Sequence, residues 1–142
     1  MSAFLFLVNP TKAYDPYPDW AAWAPLIADG EHPPTTWNTG TRRRGIVPGD
    51  LGLIIKVGVD PRGLVGLATV TSEIYVGPHW NPEARLLETG YVDLAMDDVL
   101  DLDDPLPLSL LRQLAPGVLW TPRQSGSQIP DDAAAAVLEL LR

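Results

Sequence analysis

The sequence contains no cysteine, which removes disulfide bonds, thiolate-bound zinc, iron–sulfur clusters and a cysteine nucleophile from consideration. Histidine is nearly as scarce, because His32 and His79 stand far apart, each beside a proline. No EF-hand loop or histidine-bearing zinc motif is present to gather carboxylates around a cation. We therefore expect no metal and no bound cofactor.

Basic residues are also few. The chain has 10 lysines and arginines against 18 aspartates and glutamates, which gives a net charge of −8 at neutral pH. Because neutralisation of phosphates supplies most of the affinity of a general nucleic-acid binder, this charge argues against one. Any contact with nucleic acid has to be local.

Long apolar runs are missing as well. The apolar opening, residues 1–8, is too short to span a bilayer, and it lacks a basic flank and a small-residue cleavage site. The expectation is a cytoplasmic protein without membrane contact.

The composition is that of a folded domain. The 142 residues lie in the usual size range for one domain, and 46% of them are apolar. That proportion is sufficient for a hydrophobic core and is atypical of a disordered chain. We expect a single domain that spans residues 1–142.

Apolar and alternating segments predict several short strands. The clearest unit is a hairpin of strands 51–57 and 64–76, joined by the turn 60–63. The second strand is longer than usual, so a bulge or sharp bend is expected near residues 71–73. Further strands are predicted at residues 4–8, 91–102 and 118–120.

Three short helices are predicted between and after the strands. In the first, Asp19 is the expected cap, and Trp20, Trp23 and Leu26 share one face. Residues 108–114 and 131–141 form the others. Five or six strands interleaved with short helices predict an α+β fold, a curled, mixed and mostly antiparallel β-barrel with short flanking helices.

Aromatic residues are more numerous than a core of this size needs, with five tryptophans and four tyrosines. Packing is the favoured interpretation for Trp20, although it is also a candidate second aromatic of a binding site. Trp37 and Trp80 stand among polar and turn residues, where an exposed ring would suit stacking on a flat ligand. Packing remains the alternative for both.

The one basic run is formed by Arg42, Arg43 and Arg44 and lies close to Trp37. Such a run is either a solvated surface feature or a set of guanidinium groups that hold phosphates beside a stacking ring. Thr39 could add a hydrogen bond in the same loop.

A polar run at residues 122–128 precedes the last helix. It is either an ordinary helix-entry loop or a loop in which the Gln124 amide and the Ser125 hydroxyl contact the edge of a base. Glu73 and Asp50 are acid–base candidates by residue type alone, without a histidine or second carboxylate at a supporting spacing. Binding is therefore favoured over catalysis.

Several motifs, taken in order, give the whole chain a resemblance to the EVE domain, a branch of the PUA-like superfamily. The opening strand ends in Asn9-Pro10, and a Gly-Asp turn precedes an apolar strand. The other matching segments are the tryptophan- and arginine-bearing stretch 37–43, the strand 63–70 continued to Tyr75, and the segment 123–129 before a closing helix.

The resemblance implies a reader that flips one modified base, with a modified cytosine such as 5-methylcytosine in DNA favoured over RNA, into an aromatic pocket. Such domains also occur fused to HNH nucleases that restrict modified DNA, which implies a nuclease partner acting in trans or on a fused chain. The alternatives are an RNA reader and a small-molecule or peptide binding module. The implied pocket residues are Asn9, Trp37, Thr39, Tyr75, Gln124 and Ser125. The residues implied to contact the nucleic-acid backbone are Arg42, Arg43, Arg44 and Arg123, and Trp20 or Trp80 is a possible second aromatic residue of the pocket.

Overall fold

A computed structural model describes residues 1–12, 14–84 and 87–141. In these ranges the chain forms eight strands and three helices. The helices are α1 (Tyr17–Ala28), α2 (Leu108–Leu114) and α3 (Asp131–Leu140). The strands are β1 (Ala3–Val8), β2 (Pro34–Gly40), β3 (Leu51–Lys56), β4 (Gly63–Val70), β5 (Tyr75–Pro78), β6 (Glu88–Val99), β7 (Leu106–Pro107) and β8 (Ser127–Ile129).

The strands form one mixed sheet in the order β2-β6-β4-β3-β1-β8. The pairing of β1 with β3 is parallel, and the other pairs are antiparallel. The predicted α+β class with a curled, mostly antiparallel sheet is confirmed, although the sheet is not closed into a barrel. The strand count exceeds five or six because two short strands, β5 and β7, pair with β6 and β4 beside this path.

Both faces of the sheet are covered by apolar side chains. Successive residues of a strand point to opposite faces, so Phe4 and Phe6 pack in one cluster with Trp37, while Leu5 packs in the other with Trp120. The same alternation separates Leu67 from Ala68. The site described below lies beside the cluster that contains Trp37.

The central hairpin is confirmed, but its second strand is shorter than predicted. β4 ends at Val70, and β5 begins at Tyr75 after an irregular segment. The expected bend near residues 71–73 therefore separates two strands. The break allows β4 and β5 both to pair with β6 at different points along its length.

Residues 118–120 do not form the predicted strand. The Trp120 ring is buried in the core, and its Nε1–H donates to the Ala115 carbonyl oxygen at 3.3 Å, which holds the segment close to the end of α2. A strand forms instead in the polar segment that follows, where β8 pairs with β1.

The first helix also differs from the prediction. It begins at Tyr17, so Asp19 lies in its first turn and is not the cap. Trp20 and Trp23 are buried, but Leu26 is 39% exposed and lies off the packed face. No helix among the described residues is long and apolar enough to cross a membrane.

Candidate binding cleft

An open cleft of about 900 Å³ lies where the end of β1, the strand β2 and two loops meet. Its walls come from stretches of the chain that are distant in sequence and that the sheet order brings together. Six of the predicted site residues line it, namely Asn9, Trp37, Trp80, Arg123, Gln124 and Ser125.

Trp37 forms part of the cleft wall but is only 8% exposed. It lies in β2, opposite Val92, and not in the loop that the sequence predicts. Its Nε1–H donates to the Leu7 carbonyl oxygen at 3.0 Å, and the Tyr14 ring meets it edge-on with centroids 6.0 Å apart. The indole is thus fixed in the core with a small part of its surface facing the cleft.

Trp80 is the exposed aromatic ring of the cleft. Its side chain is 47% exposed, and the His79 ring lies beside it at 5.3 Å between centroids with a 32° interplanar angle. About half of the Trp80 surface is open to a ligand, whereas Trp37 is almost fully covered. Trp80 is therefore better placed than Trp37 for stacking on a ligand that enters from solvent.

The polar loop before β8 is hydrogen-bonded to β1 and to the residue that follows β2. The Ser125 Oγ accepts a hydrogen bond from the Leu7 N–H at 2.8 Å. The Gln124 Oε1 accepts from the Thr41 N–H at 3.3 Å, and its Nε2 donates to the Thr41 Oγ1 at 3.1 Å. Gly40, with φ +62°, leaves the space that Gln124 occupies, since a Cβ there would collide with its side chain. These contacts place an amide and a hydroxyl on the cleft wall.

Asn9 lines the cleft from the turn after β1. Its Oδ1 accepts hydrogen bonds from the Thr11 N–H at 3.0 Å and the Thr11 Oγ1 at 2.6 Å. This local pattern is an Asx turn, so the carbonyl oxygen of the amide shapes the loop. The Nδ2 group is the part of Asn9 that can serve a ligand.

Three predicted pocket residues lie outside the cleft. Thr39 is fully buried, and its Oγ1 donates to the Arg42 carbonyl oxygen at 3.0 Å. Tyr75 lies on β5, where its hydroxyl donates to the Asp93 Oδ1 at 2.7 Å. Trp20 packs against Trp23 in the core and donates its Nε1–H to a β4 carbonyl oxygen. The side chains of Thr39, in β2, and Trp20, in α1, point into the protein interior and pack there.

The basic run does not form a single phosphate-binding surface. The Arg42 guanidinium lies over the Phe4 ring at 5.1 Å, with its Nε buried and without a hydrogen-bond partner in the described structure. Arg43 folds back onto its own loop, where Nη1 donates to the Gly40 carbonyl oxygen at 2.5 Å. Arg44 is exposed and does not line the cleft. Arg123 does, together with Lys12, which the sequence does not single out.

Tyr14 and Asp19 are further cleft residues that sequence reasoning missed as site residues. The Tyr14 hydroxyl donates to the Asp19 Oδ2 in a short hydrogen bond of 2.5 Å. Burial, followed by this hydrogen bond and the charges of Asp19 and Asp15, raises the pKa of Tyr14 far above its ordinary value. Tyr14 therefore remains a neutral donor. No sequence signal marks this pair, because only the tertiary fold places Tyr14 against Trp37.

The cleft lies on a curled mixed sheet flanked by three helices, which is the PUA-like α+β fold. No protein-family model matches the sequence, and no curated protein sequence matches it significantly. Solved structures share the fold over nearly the whole chain. Human THYN1, solved in complex with DNA containing 5-methylcytosine, is 16% identical with a TM-score of 0.64, covering 99% of this chain and 97% of that one.

Two other solved structures have the same fold. The DUF55 domain of human thymocyte nuclear protein 1 is 19% identical with a TM-score of 0.60, covering 98% of each chain. A protein from Pseudomonas syringae is 16% identical with a TM-score of 0.65, covering 97% of this chain and 98% of that one. The chain therefore shares the architecture of these solved domains, in agreement with the PUA-like fold that the motif order implies. At these identities the likeness establishes the fold alone.

Proposed function

We propose that this chain binds nucleic acid carrying a modified base, with a modified cytosine in DNA as the favoured ligand, and that the base enters the cleft between Trp37 and Trp80. The observation that carries the proposal is one cleft that combines an exposed indole, amide and hydroxyl groups and two cationic side chains. The fold adds support, since human THYN1 was solved with DNA containing 5-methylcytosine.

The energetics of base capture fit such a cleft. Extruding a base from a duplex costs a few kcal/mol, and stacking on one aromatic ring returns about 1–3 kcal/mol. Trp80 offers the larger free ring surface, and Trp37 offers a fixed edge of the wall. Hydrogen bonds from Asn9 and Gln124 to the base edge would supply the remainder.

The cationic side chains have a different role. Lys12 and Arg123 line the cleft, and charged groups of this kind hold phosphates without reading sequence. They would fix the backbone on either side of the captured base. Arg42, whose guanidinium packs over Phe4, is assigned to the fold instead of the ligand.

The proposed activity is binding, with chemistry left to a partner. In this hypothesis the domain marks a modified site for a nuclease that acts in trans or on a fused chain. RNA that presents a modified base in a single-stranded segment is a ligand of the same chemistry. An RNA oligonucleotide of matching sequence therefore belongs in every binding experiment.

Replacing Trp80 by Ala tests the proposal. Loss of one stacking surface should weaken binding of an oligonucleotide containing 5-methylcytosine by about 5- to 150-fold, which corresponds to about 1–3 kcal/mol. Fluorescence anisotropy measures the affinity. Tyr75→Ala is the matched control, because Tyr75 is 43% exposed, close to the 47% of Trp80, but lies outside the cleft. Equal affinities in the two variants would contradict the assignment.

The acidic surface favours a second candidate, a module that binds a neutral small molecule or a peptide in the same cleft. The net charge of −8 repels polyanions over the whole molecule and leaves uncharged ligands unaffected. The two candidates differ in their response to salt, since release of counterions accompanies phosphate binding only.

A further inference from the structure

Asp19 places a carboxylate on the wall of the cleft. The residue is partly buried and lies in the first turn of α1, where the partial positive charge of the helix N-terminus stabilises an anion. An acidic side chain that lines a cleft for a phosphate-bearing ligand works against binding unless it has a task of its own.

The carboxylate is held in one orientation by its neighbours. The Tyr14 hydroxyl donates to Oδ2 at 2.5 Å, and hydrogen bonds to a charged acceptor are the strong ones. The Tyr14 ring in turn packs edge-on against Trp37, whose Nε1–H is bonded to β1. Asp19 is thus linked through two aromatic side chains to the centre of the sheet.

The second oxygen is available to a ligand. Among the described residues, the Asp19 Oδ1 has no hydrogen-bond partner, while Oδ2 is occupied by Tyr14. A ligand in the cleft that reaches this oxygen removes water from it. The desolvated anion then costs free energy unless the ligand supplies an N–H group.

We propose, resting on the function inferred above, that Asp19 selects bases by accepting a hydrogen bond from an exocyclic amino group. Carboxylates accept hydrogen bonds from the N4 amino group of cytosine, whereas thymine presents a carbonyl oxygen at the same ring position. A carbonyl oxygen facing the carboxylate is repelled. Asp19 therefore discriminates 5-methylcytosine from thymine, two bases that carry the same 5-methyl group.

The test compares 5-methylcytosine and thymine at one position of otherwise identical single-stranded oligonucleotides. Wild-type protein should bind the 5-methylcytosine strand at least about tenfold more tightly, in line with the discrimination of one good base-edge contact. Asp19→Asn carries a carboxamide that can present N–H to the thymine carbonyl. The ratio of the two affinities should fall to near one in this variant.

Two further variants separate a specific role from a structural one. Asp29→Asn changes the net charge by the same amount at the exposed end of α1, away from the cleft, and should keep the wild-type ratio. Tyr14→Phe keeps the ring against Trp37 but frees the carboxylate, so the ratio should fall part of the way. A variant with a damaged fold would lose affinity for both oligonucleotides equally, so the ratio of the two affinities would not change.

The outcomes are distinguishable. If wild-type protein prefers modified to unmodified strands and Trp80→Ala removes that binding, while Asp19→Asn keeps the wild-type ratio of 5-methylcytosine to thymine, only the role of Asp19 is overturned. The role of Asp19 is also overturned if wild-type protein binds the 5-methylcytosine and thymine strands with equal affinity. If wild-type protein does not prefer modified strands at all, the proposed function fails and the role of Asp19 fails with it.

Discussion

Two tryptophans on one cleft have different physical tasks. Trp37 is almost fully buried, donates to Leu7 and packs against Tyr14, so it stabilises the wall. Trp80 leaves almost half of its side chain in water and contacts His79. Substitution of Trp37 therefore changes stability as well as any binding, and Trp80 is the cleaner probe of the ligand.

Trp37→Phe is expected to lower the free energy of unfolding by about 1–3 kcal/mol, because the hydrogen bond to Leu7 is lost and the smaller ring leaves a void. Trp37→Ala should cost about 3–5 kcal/mol. Urea denaturation followed by circular dichroism measures both values. The control is Trp80→Ala, which should stay within about 0.5 kcal/mol of the wild type as an exposed substitution. A Phe variant as stable as the wild type would show that the indole is not held as described.

The limits of sequence reasoning are clearest for individual side chains. The sequence predicts Trp37, Gln124 and Ser125 as members of one site, and all three line the cleft. Thr39 and Arg42 were not distinguishable from them, because the polar character of a residue does not reveal which way a strand or loop turns it. Asp19 is missed for another reason. Its position near the start of a helix predicts a capping role, and nothing in the sequence indicates that it lines the cleft.

The turn that precedes β3 depends on one buried carboxylate. The Asp50 Oδ1 accepts from the Ser2 N–H at 3.1 Å, and Oδ2 accepts from the Val47 N–H at 2.9 Å. Asp50 is 5% exposed, so it serves the start of the parallel β1–β3 pair and not acid–base chemistry at a surface.

Asp50→Ala should therefore lower the free energy of unfolding by about 2–3 kcal/mol, because two backbone N–H groups lose their acceptor. Asp50→Asn retains one acceptor oxygen and should lose roughly half as much. Thermal or urea unfolding of the three proteins gives the comparison. An Ala variant that unfolds like the wild type would mean that water replaces the carboxylate at no cost.

Elements were predictable where local pattern and pairing agree. The hairpin of β3 and β4 combines turn residues with two apolar strands, and its pairing is confirmed although β4 ends earlier than predicted. Residues 118–120 fail for a physical reason, since three apolar residues suit a strand as well as a buried irregular segment. Conversely, β8 is polar in sequence and becomes a strand only because β1 offers it a free edge.

Charge is a property of the whole molecule, and it limits how a nucleic acid can approach. The chain carries a net charge of −8, while Lys12 and Arg123 are the basic side chains that line the cleft within the described ranges. Salt screens the long-range repulsion between the acidic protein and a polyanion. Salt also weakens the local phosphate contacts, because binding at these contacts releases counterions from the nucleic acid. The balance of the two determines the salt dependence.

Binding of a modified single-stranded oligonucleotide should fall with salt, with a slope of log K against log salt between about −1 and −2, as expected for two phosphate contacts. Anisotropy titrations from about 50 to 200 mM salt, the range over which phosphate contacts show their effect, measure this slope. Lys12→Gln and Arg123→Gln should each make it shallower, whereas Arg44→Gln, outside the cleft, should leave it unchanged. A slope near zero would support the neutral-ligand candidate instead.

The sheet order has a thermodynamic consequence. Strand β1 lies between β3 and β8, and the cleft takes its walls from early, middle and late parts of the sequence. No short fragment contains the site, so occupancy and global folding are linked equilibria. Any molecule that fills the cleft shifts the whole domain towards its native state, and resistance to unfolding becomes a label-free reporter in a search for the natural ligand.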